Sequence, residues 1–367
     1  MTPTVGTFTP GQIWEDNNGV HINAHGGGLL YHEGTYYWFG EHKVEGKIGN
    51  TAQVGVGVYS SKDLTHWTDE GVALAISEDP QSDITRGSIV ERPKVIYNAK
   101  NDNFVMWFHL EHKDTGYSTA ASGVAVADTV TGPYTYMGYV RPNAGVWPLN
   151  ATDEEKSLES IQRTKAENET FRGWPSDKHA QFNIMGSHHV GGQMARDQNL
   201  FVDDDGTAYH IYSSEHNSTL HISVLTDDYL SHAGTYTRNF PFRWMEAPAV
   251  FKRKGKFYLI ASGCTGWKPN DARAAVADDI LGPWKELGNP AVGVNPENGL
   301  GPEKTFGGQS TYVLPVQGKD DAYIAMFDIW CPKNAIDGRY IWLPIEFEGD
   351  AIKVKWMDEW DLSSFDQ

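Results

Sequence analysis

The stretch His25-GGG-Leu29-LYHE-Gly34-TYYWF opens on a polar residue, sets an apolar one four positions on, a glycine five beyond that, and then a run of aromatics. The same order returns at Glu91-RPK-Val95, Asp197-QNL-Phe201, Glu246-APA-Val250 and Gln309-STY-Val313. Glycine follows at the same interval in three of these (Gly206, Gly255, Gly318), and an Asn101-Asp102-Asn103 turn replaces it in the other. Each turn leads into an apolar run: FVMWF, TAYHIY, KFYLIA and AYIAMF. A turn signal between two such runs reads as a β-hairpin. Five copies along one chain mark a repeat architecture.

The second half of each unit repeats as well: VGVYSSKDLTHWTDEG, VAVADTVTGPYTYMG, LHISVLTDDYLSHAG and AAVADDILGPWKELG, with RYIWLPIEFEG and IKVKW completing the last. Each reads as a strand, a polar turn and a short aromatic strand. Together with the leading hairpin this makes four antiparallel strands per unit, the blade of a β-propeller. The expectation is an all-β, five-bladed propeller over residues 1–367 as one domain, with an insertion near residues 141–194 between the second and third blades. The N-terminal segment is expected to help close the ring. The insertion begins charged and ends rich in Gly, His and aromatics just before Asp197, so it is read as shaping the mouth of the site.

Net charge is −18, which argues against nucleic acid or an anionic membrane as partner and suits a neutral ligand. The 13 Trp, 17 Tyr and 15 Phe exceed what a core alone asks for, and aromatic faces stack on sugars, so carbohydrate is the expected partner. Cys264 and Cys331 have no metal-site spacing and are read as free thiols. No apolar run approaches the ~18 residues of a membrane span. The N-terminus shows no export signal, so the compartment is left open: cytoplasmic, or exported if a leader was removed. Asp203-Asp204-Asp205-Gly206 reads as a hairpin turn, since the other ligands of a calcium loop are missing.

Equivalent positions of equivalent strands point the same way. A radial arrangement therefore brings His25, Glu91, Asp197, Glu246 and Gln309 to one axis. An isolated acidic residue beside a strand is ordinarily a solvated or ion-paired group; the shared register is what singles these out. Carboxylates crowded in a narrow channel repel one another, so one of them should stay protonated near neutrality and serve as a general acid.

The blocks NAHGGGLLYHEGTYYWFGEHK, IVERPKVIYN, MEAPAVFK, SGCTGWKPN, GGQSTYVLP and GRYIWLPIEF resemble the motifs of glycoside hydrolase family 43, and within it the exo-β-1,3-galactanase branch. The resemblance runs in order along nearly the whole chain, the insertion excepted. It implies a five-bladed propeller with its site on the axis, and an exo-acting, inverting hydrolase that removes a terminal galactosyl residue. By the same resemblance Glu246 is the general acid and Asp197 orients it and sets its pKa. Most of the family carries a base Asp at the head of the first blade, where this chain has His25. In the galactanase branch Gln309 would position or activate water, with Glu91 holding the sugar. Glu41, Arg92 and Arg339 fall in matched blocks and are expected, with His25, to contact substrate; Trp267 and Trp330 are expected aromatic walls. No cofactor is required, and an axial calcium ion, as in some members, is not readable from the sequence. Two other readings stay open: a β-galactofuranosidase or α-L-arabinofuranosidase on the same scaffold, and a non-catalytic sugar-binding propeller.

Overall fold

The computed structural model describes residues 6–47, 49–51, 53–168 and 182–366. Four sheets have four strands each, in sequential order. The first holds β1 (His25–His32), β2 (Thr35–Lys43), β3 (Gln53–Ser61) and β4 (Thr68–Ala75); the second holds β5 (Ile89–Asn98), β6 (Asn103–Glu111), β7 (Ala121–Ala127) and β8 (Thr135–Val140). The third holds β9 (Gln198–Val202), β10 (Ala208–Ser214), β11 (Thr219–Leu225) and β12 (His232–Asn239); the fourth holds β13 (Glu246–Arg253), β14 (Lys256–Ser262), β15 (Ala272–Ala277) and β16 (Lys285–Gly288). In the fifth, β18 (Gln309–Pro315), β19 (Tyr323–Ile329), β20 (Arg339–Glu348) and β21 (Ala351–Lys355) are joined at the outer edge by β17 (Ala291–Val292), which runs parallel to β21.

The first strand of each sheet faces the axis. β1 packs on β5, β5 on β9, β9 on β13, β13 on β18 and β18 on β1, which closes a five-bladed propeller. Burial follows position in the blade: β5 is buried along nearly its whole length, whereas the outer strand β8 alternates between exposed and half-buried. The second strands are buried nearly throughout as well, which is why FVMWF, KFYLIA and AYIAMF read as apolar runs. The repeated turns behave as the sequence asks. Glu33-Gly34 and Lys254-Gly255 both take left-handed φ at both positions (47° and 78°; 50° and 79°), the geometry of a two-residue hairpin.

Residues 8–22 bridge the last blade and the first. Phe8 N–H donates to Trp360 O at 2.8 Å, with the two rings stacked at 4.3 Å, and Gly11 N–H donates to Tyr340 O. Trp14 meets Trp38, Tyr340 and Trp342 edge-on or tilted at 5.1–6.3 Å. These rings are core, which accounts for part of the aromatic excess without any sugar. Between β8 and β9 the chain forms α1 (Leu158–Asn168) and α2 (Ile184–Ser187). This stretch is tied to the third blade: Asn143 donates to Tyr212 Oη and Ser223 Oγ, and Arg238 of β12 pairs with Glu155. Residues 169–181 of the expected mouth-shaping segment lie outside the described residues. Among the described residues no helix is long and apolar enough to cross a membrane.

Candidate active site

The heads of the inner strands do not simply continue the strand. In the first, second and fourth blades the ladder bulges after the polar head, between His25 and Gly28, Glu91 and Lys94, and Glu246 and Ala249. The residue after the head is left-handed in each: Gly26 (φ 60°), Arg92 (54°) and Ala247 (50°). Arg92 and Ala247 carry a Cβ there, a conformation that costs on the order of 1 kcal/mol or more and needs support. A carboxylate from the preceding blade supplies it. Glu41 Oε1 accepts Arg92 N–H at 3.0 Å, Asp197 Oδ2 accepts Ala247 N–H at 3.1 Å, and Asp328 Oδ2 accepts Gly26 N–H at 2.6 Å. The bulge turns each head residue away from the sheet, and the neighbouring carboxylate holds that turn.

The heads surround a cavity of about 400 Å³ lined by Glu41, Glu91, Arg92, Asp197, Glu246 and Gln309, with Trp267 and Trp330 at one side and Asn50, His109, Tyr117, Arg196, His216, Asn217 and Cys264 completing the wall. Farther along the inner strands, side chains tie neighbouring blades to one another. Lys94 Nζ donates to Gly26 O, Asn199 Nδ2 to Pro248 O, and Thr311 Oγ1 to Gly27 O. Gln198 Nε2 adds a bond to Arg92 O at 2.6 Å.

Glu246 accepts from Asn217 Nδ2 at 2.7 Å and lies 3.4 Å from Gln309 Nε2. Burial first, then the charge of Asp197, raises its carboxyl to about 7, against the opposing pull of Cys264, Asn217 and Arg92. Arg92 ties the fifth blade to the third: its guanidinium pairs with Asp197 at 3.2 Å and donates to Gln309 Oε1 at 2.6 Å and Ser310 O at 3.0 Å. Gln309 Oε1 also accepts from Trp330 Nε1 at 2.8 Å, so both acceptor positions of its amide oxygen are engaged.

Glu91 has different neighbours. Its Oε2 faces His109 Nδ1 at 2.9 Å and its Oε1 accepts from Tyr117 Oη at 2.8 Å. Burial raises this carboxyl, but the bond and charge of His109, with help from Tyr117 and Lys43, outweigh it and leave the group below its ordinary value. Glu91, His109 and Asp197 offer donor atoms within 4.8 Å of one another. They do not fit a calcium ion, which takes six to eight oxygen ligands. One of the three is an imidazole with both nitrogens against carboxylates, and Asp197 already meets a guanidinium.

Two of the expected contact residues do not fall on this wall. His25 is not on the cavity wall: it is 1% exposed and its ring lies on Tyr340 at 5.7 Å and 25°. The bulge that re-aims Glu91 and Glu246 falls here on Gly26 to Gly28, and Glu41 takes the wall position. Arg339 is not on the wall either; it turns to Asp337 and bonds its main-chain oxygen at 2.7 Å. Glu41 and Arg92 do line the cavity, but their charges are spent on protein: Glu41 on Arg92 N–H and on Lys43 at 3.0 Å, Arg92 on Asp197 and Gln309. Trp267 and Trp330 meet edge-on at 6.0 Å, with Trp267 42% exposed. Cys264 and Cys331 are both free.

Several wall residues, His109 and Asn217 among them, were not anticipated. Glu41, His109, Ser262 and Asp328 stand opposite His25, Glu91, Glu246 and Gln309 across the first hairpin. The signal was present, because each closes an aromatic or apolar run at the same place: TYYWFGE, FVMWFH, KFYLIAS and AYIAMFD. Asn217 had no such signal. It sits in the β10–β11 turn, where Glu215, His216 and Asn217 are all left-handed (φ 53°, 58°, 67°) without a glycine among them.

A family model for glycosyl hydrolases family 43 matches residues 160–301. No curated protein matches the chain. Among solved structures, the family 43 β-1,3-galactosidase BT3683, with galactodeoxynojirimycin, is 48% identical over 97% of this chain and 100% of its own, with a TM-score of 0.87. An exo-β-1,3-galactanase from Clostridium thermocellum is 32% identical over 96% of this chain and 66% of its own, with a TM-score of 0.75. A variant of the exo-β-1,3-galactanase from Phanerochaete chrysosporium, with β-1,3-galactotriose, is 30% identical over 97% of this chain and 68% of its own, with a TM-score of 0.76. With this likeness over nearly its full length, and a carboxylate-lined pocket on the propeller axis, the chain belongs to glycosyl hydrolase family 43.

Proposed function

We propose that this hydrolase removes terminal galactose from β-1,3-linked galactosides, acting from the chain end and inverting the anomeric centre. Exo action is supported by the similar structures named exo-β-1,3-galactanases. The names of the similar structures favour a β-1,3-galactoside over a galactofuranoside or an arabinofuranoside.

The observation that carries the mechanism is the opposite tuning of two carboxyls in one cavity. Glu246, raised to about 7, keeps a proton near neutrality and delivers it to the glycosidic oxygen as the C1–O bond breaks. Asp197 supports it twice, by its charge and by holding the Ala247 bulge that aims Glu246. Glu91 is held ionised, and we assign it the water: the water oxygen bonds to C1 while its proton passes to Glu91. Gln309 is the less suitable base. Its amide oxygen is already engaged twice, and its nitrogen sits 3.4 Å from Glu246, whereas an inverting acid and base stand roughly 6.5–9.5 Å apart. Gln309 instead fixes the acid's carboxylate against Ser262 and Arg92.

The test is proton NMR of β-1,3-galactobiose hydrolysis in its first minutes. Inversion gives α-galactose before mutarotation; β-galactose as first product would overturn the mechanism. In Glu91→Gln, turnover should fall about two to four orders of magnitude, and azide should return part of it as α-galactosyl azide. Full activity in that variant, with loss in Gln309→Ala, would return the base to the fifth blade.

A further inference from the structure

Behind the cavity wall, β6 carries two polar side chains that the reaction as described does not use. His109 Nδ1 lies 2.9 Å from Glu91 Oε2, and His109 Nε2 lies 2.9 Å from Glu111 Oε1. His109 is 1% exposed and Glu111 is fully buried. The remaining oxygen of Glu111 accepts Ala120 N–H at 3.0 Å, and Arg196 Nε stands 3.9 Å from the carboxylate. Carboxylate, imidazole and carboxylate thus stand in line, with the first at the cavity and the last sealed in the sheet. Two residues apart on a strand, His109 and Glu111 share a face, so the line is built into the alternation of β6.

An imidazole between two carboxylate oxygens at hydrogen-bond distance satisfies both only if both its nitrogens carry protons. We infer that Glu111 is a positioning residue of the reaction: through His109 it keeps the imidazole doubly protonated, and the imidazolium fixes the aim of Glu91 and keeps it ionised. This rests on the assignment of the water to Glu91. Burial alone would discharge His109; the bonds to Glu111 and Glu91 raise it instead to about 9. The same burial leaves His25, His210, His221 and His232 below their ordinary value, and of these only His221 has a carboxylate, on one side.

The other groups around Glu91 do not replace Glu111. Tyr117, after β6, donates to its far oxygen; Lys43 of β2 pairs with Glu41; and Arg92, beside it on β5, pairs with Asp197. Arg196, ahead of β9, donates to Tyr117 O at 2.7 Å and stands 3.9 Å from Glu111. Asp197 and Glu246 share the cavity and, as carboxylates, would only raise Glu91.

Glu111→Gln keeps volume and an acceptor but gives up the charge. The expected result is an acidic limb of kcat/KM displaced upward by about one pH unit, a loss of up to about tenfold in kcat/KM on the acidic side of that limb, and an unmoved basic limb. A role confined to folding would lower melting temperature and scale the whole profile without displacing that limb. In the wild-type protein, ¹⁵N-histidine NMR should show one exchange-protected imidazolium with two ring N–H protons above pH 8, a reading that needs no variant to fold. A Glu111→Gln profile with an unshifted acidic limb, or a protected His109 ring carrying one proton at pH 7, overturns the inference. Glu91→Gln separates the two layers: if it keeps full turnover, the assignment of the water fails, whereas a dead Glu91→Gln beside an unshifted Glu111→Gln leaves that assignment standing and removes the relay alone.

Discussion

Glu246 and Glu91 are the same residue type on equivalent strand heads, each followed by a left-handed residue, and they open on the same cavity. Their surroundings differ in kind. Glu246 is raised to about 7 by burial first and then by the charge of Asp197, which the donors Cys264 and Asn217 and the charge of Arg92 do not offset. Glu91 sits against an imidazole and a phenol and is lowered. The scaffold thus supplies symmetry, and the second strand and the loop beyond it break that symmetry into an acid and a base. His109 comes from β6 beside Glu91; the corresponding residue beside Glu246 is Ser262, which has no charge to offer.

The largest effect expected from breaking this contrast is on the acid. Glu246→Gln should reduce kcat on β-1,3-galactobiose by about two to four orders of magnitude, with aryl galactosides of acidic leaving group partly spared. Steady-state kinetics on the two substrates checks it. Asp197→Asn removes the nearest negative charge and weakens the clip on Ala247. The basic limb of the pH profile should move down, and kcat should fall about 10- to 100-fold at neutral pH.

Asn217→Ala sharpens the comparison from the other side. Its bond favours ionised Glu246, so its loss should move the basic limb upward by less than about one unit, with a kcat change under about tenfold. The smallest effect concerns stability. A carboxyl raised on folding contributes fully below its unfolded value, and that contribution is lost as pH rises through the folded one. Wild-type protein should therefore carry an unfavourable buried charge at pH 8 that Glu246→Gln relieves by about 1–2 kcal/mol, with little difference at pH 5. Thermal unfolding at the two pH values measures this.

The propeller was legible because it is periodic: the interval from Leu29 to Gly34 recurs, and the second strands read as apolar runs. The heads Glu91, Asp197, Glu246 and Gln309 were legible for the same reason. His25 shares the register but not the wall, because register places a Cα and not a side chain; three glycines at the bulge let its ring turn back onto Tyr340 while Glu41 took the wall. Arg339 lay in a matched block, but Asp337, two residues before it, holds it. Asn217 depends on three successive left-handed residues braced by Glu215, which bonds His221 at 2.8 Å and Arg238 at 2.6 Å. No local pattern announces a turn whose support comes from β11 and β12.

The claim that environment alone makes Glu246 the acid is tested most directly by the pH dependence of wild-type kcat/KM on two substrates. With β-1,3-galactobiose, which needs a proton on its leaving oxygen, activity should fall along a basic limb near pH 7, where Glu246 loses that proton. With a dinitrophenyl β-galactoside, which leaves unaided, the same limb should flatten while the acidic limb set by Glu91 persists. A basic limb near pH 7 of equal steepness on both substrates would contradict the assignment.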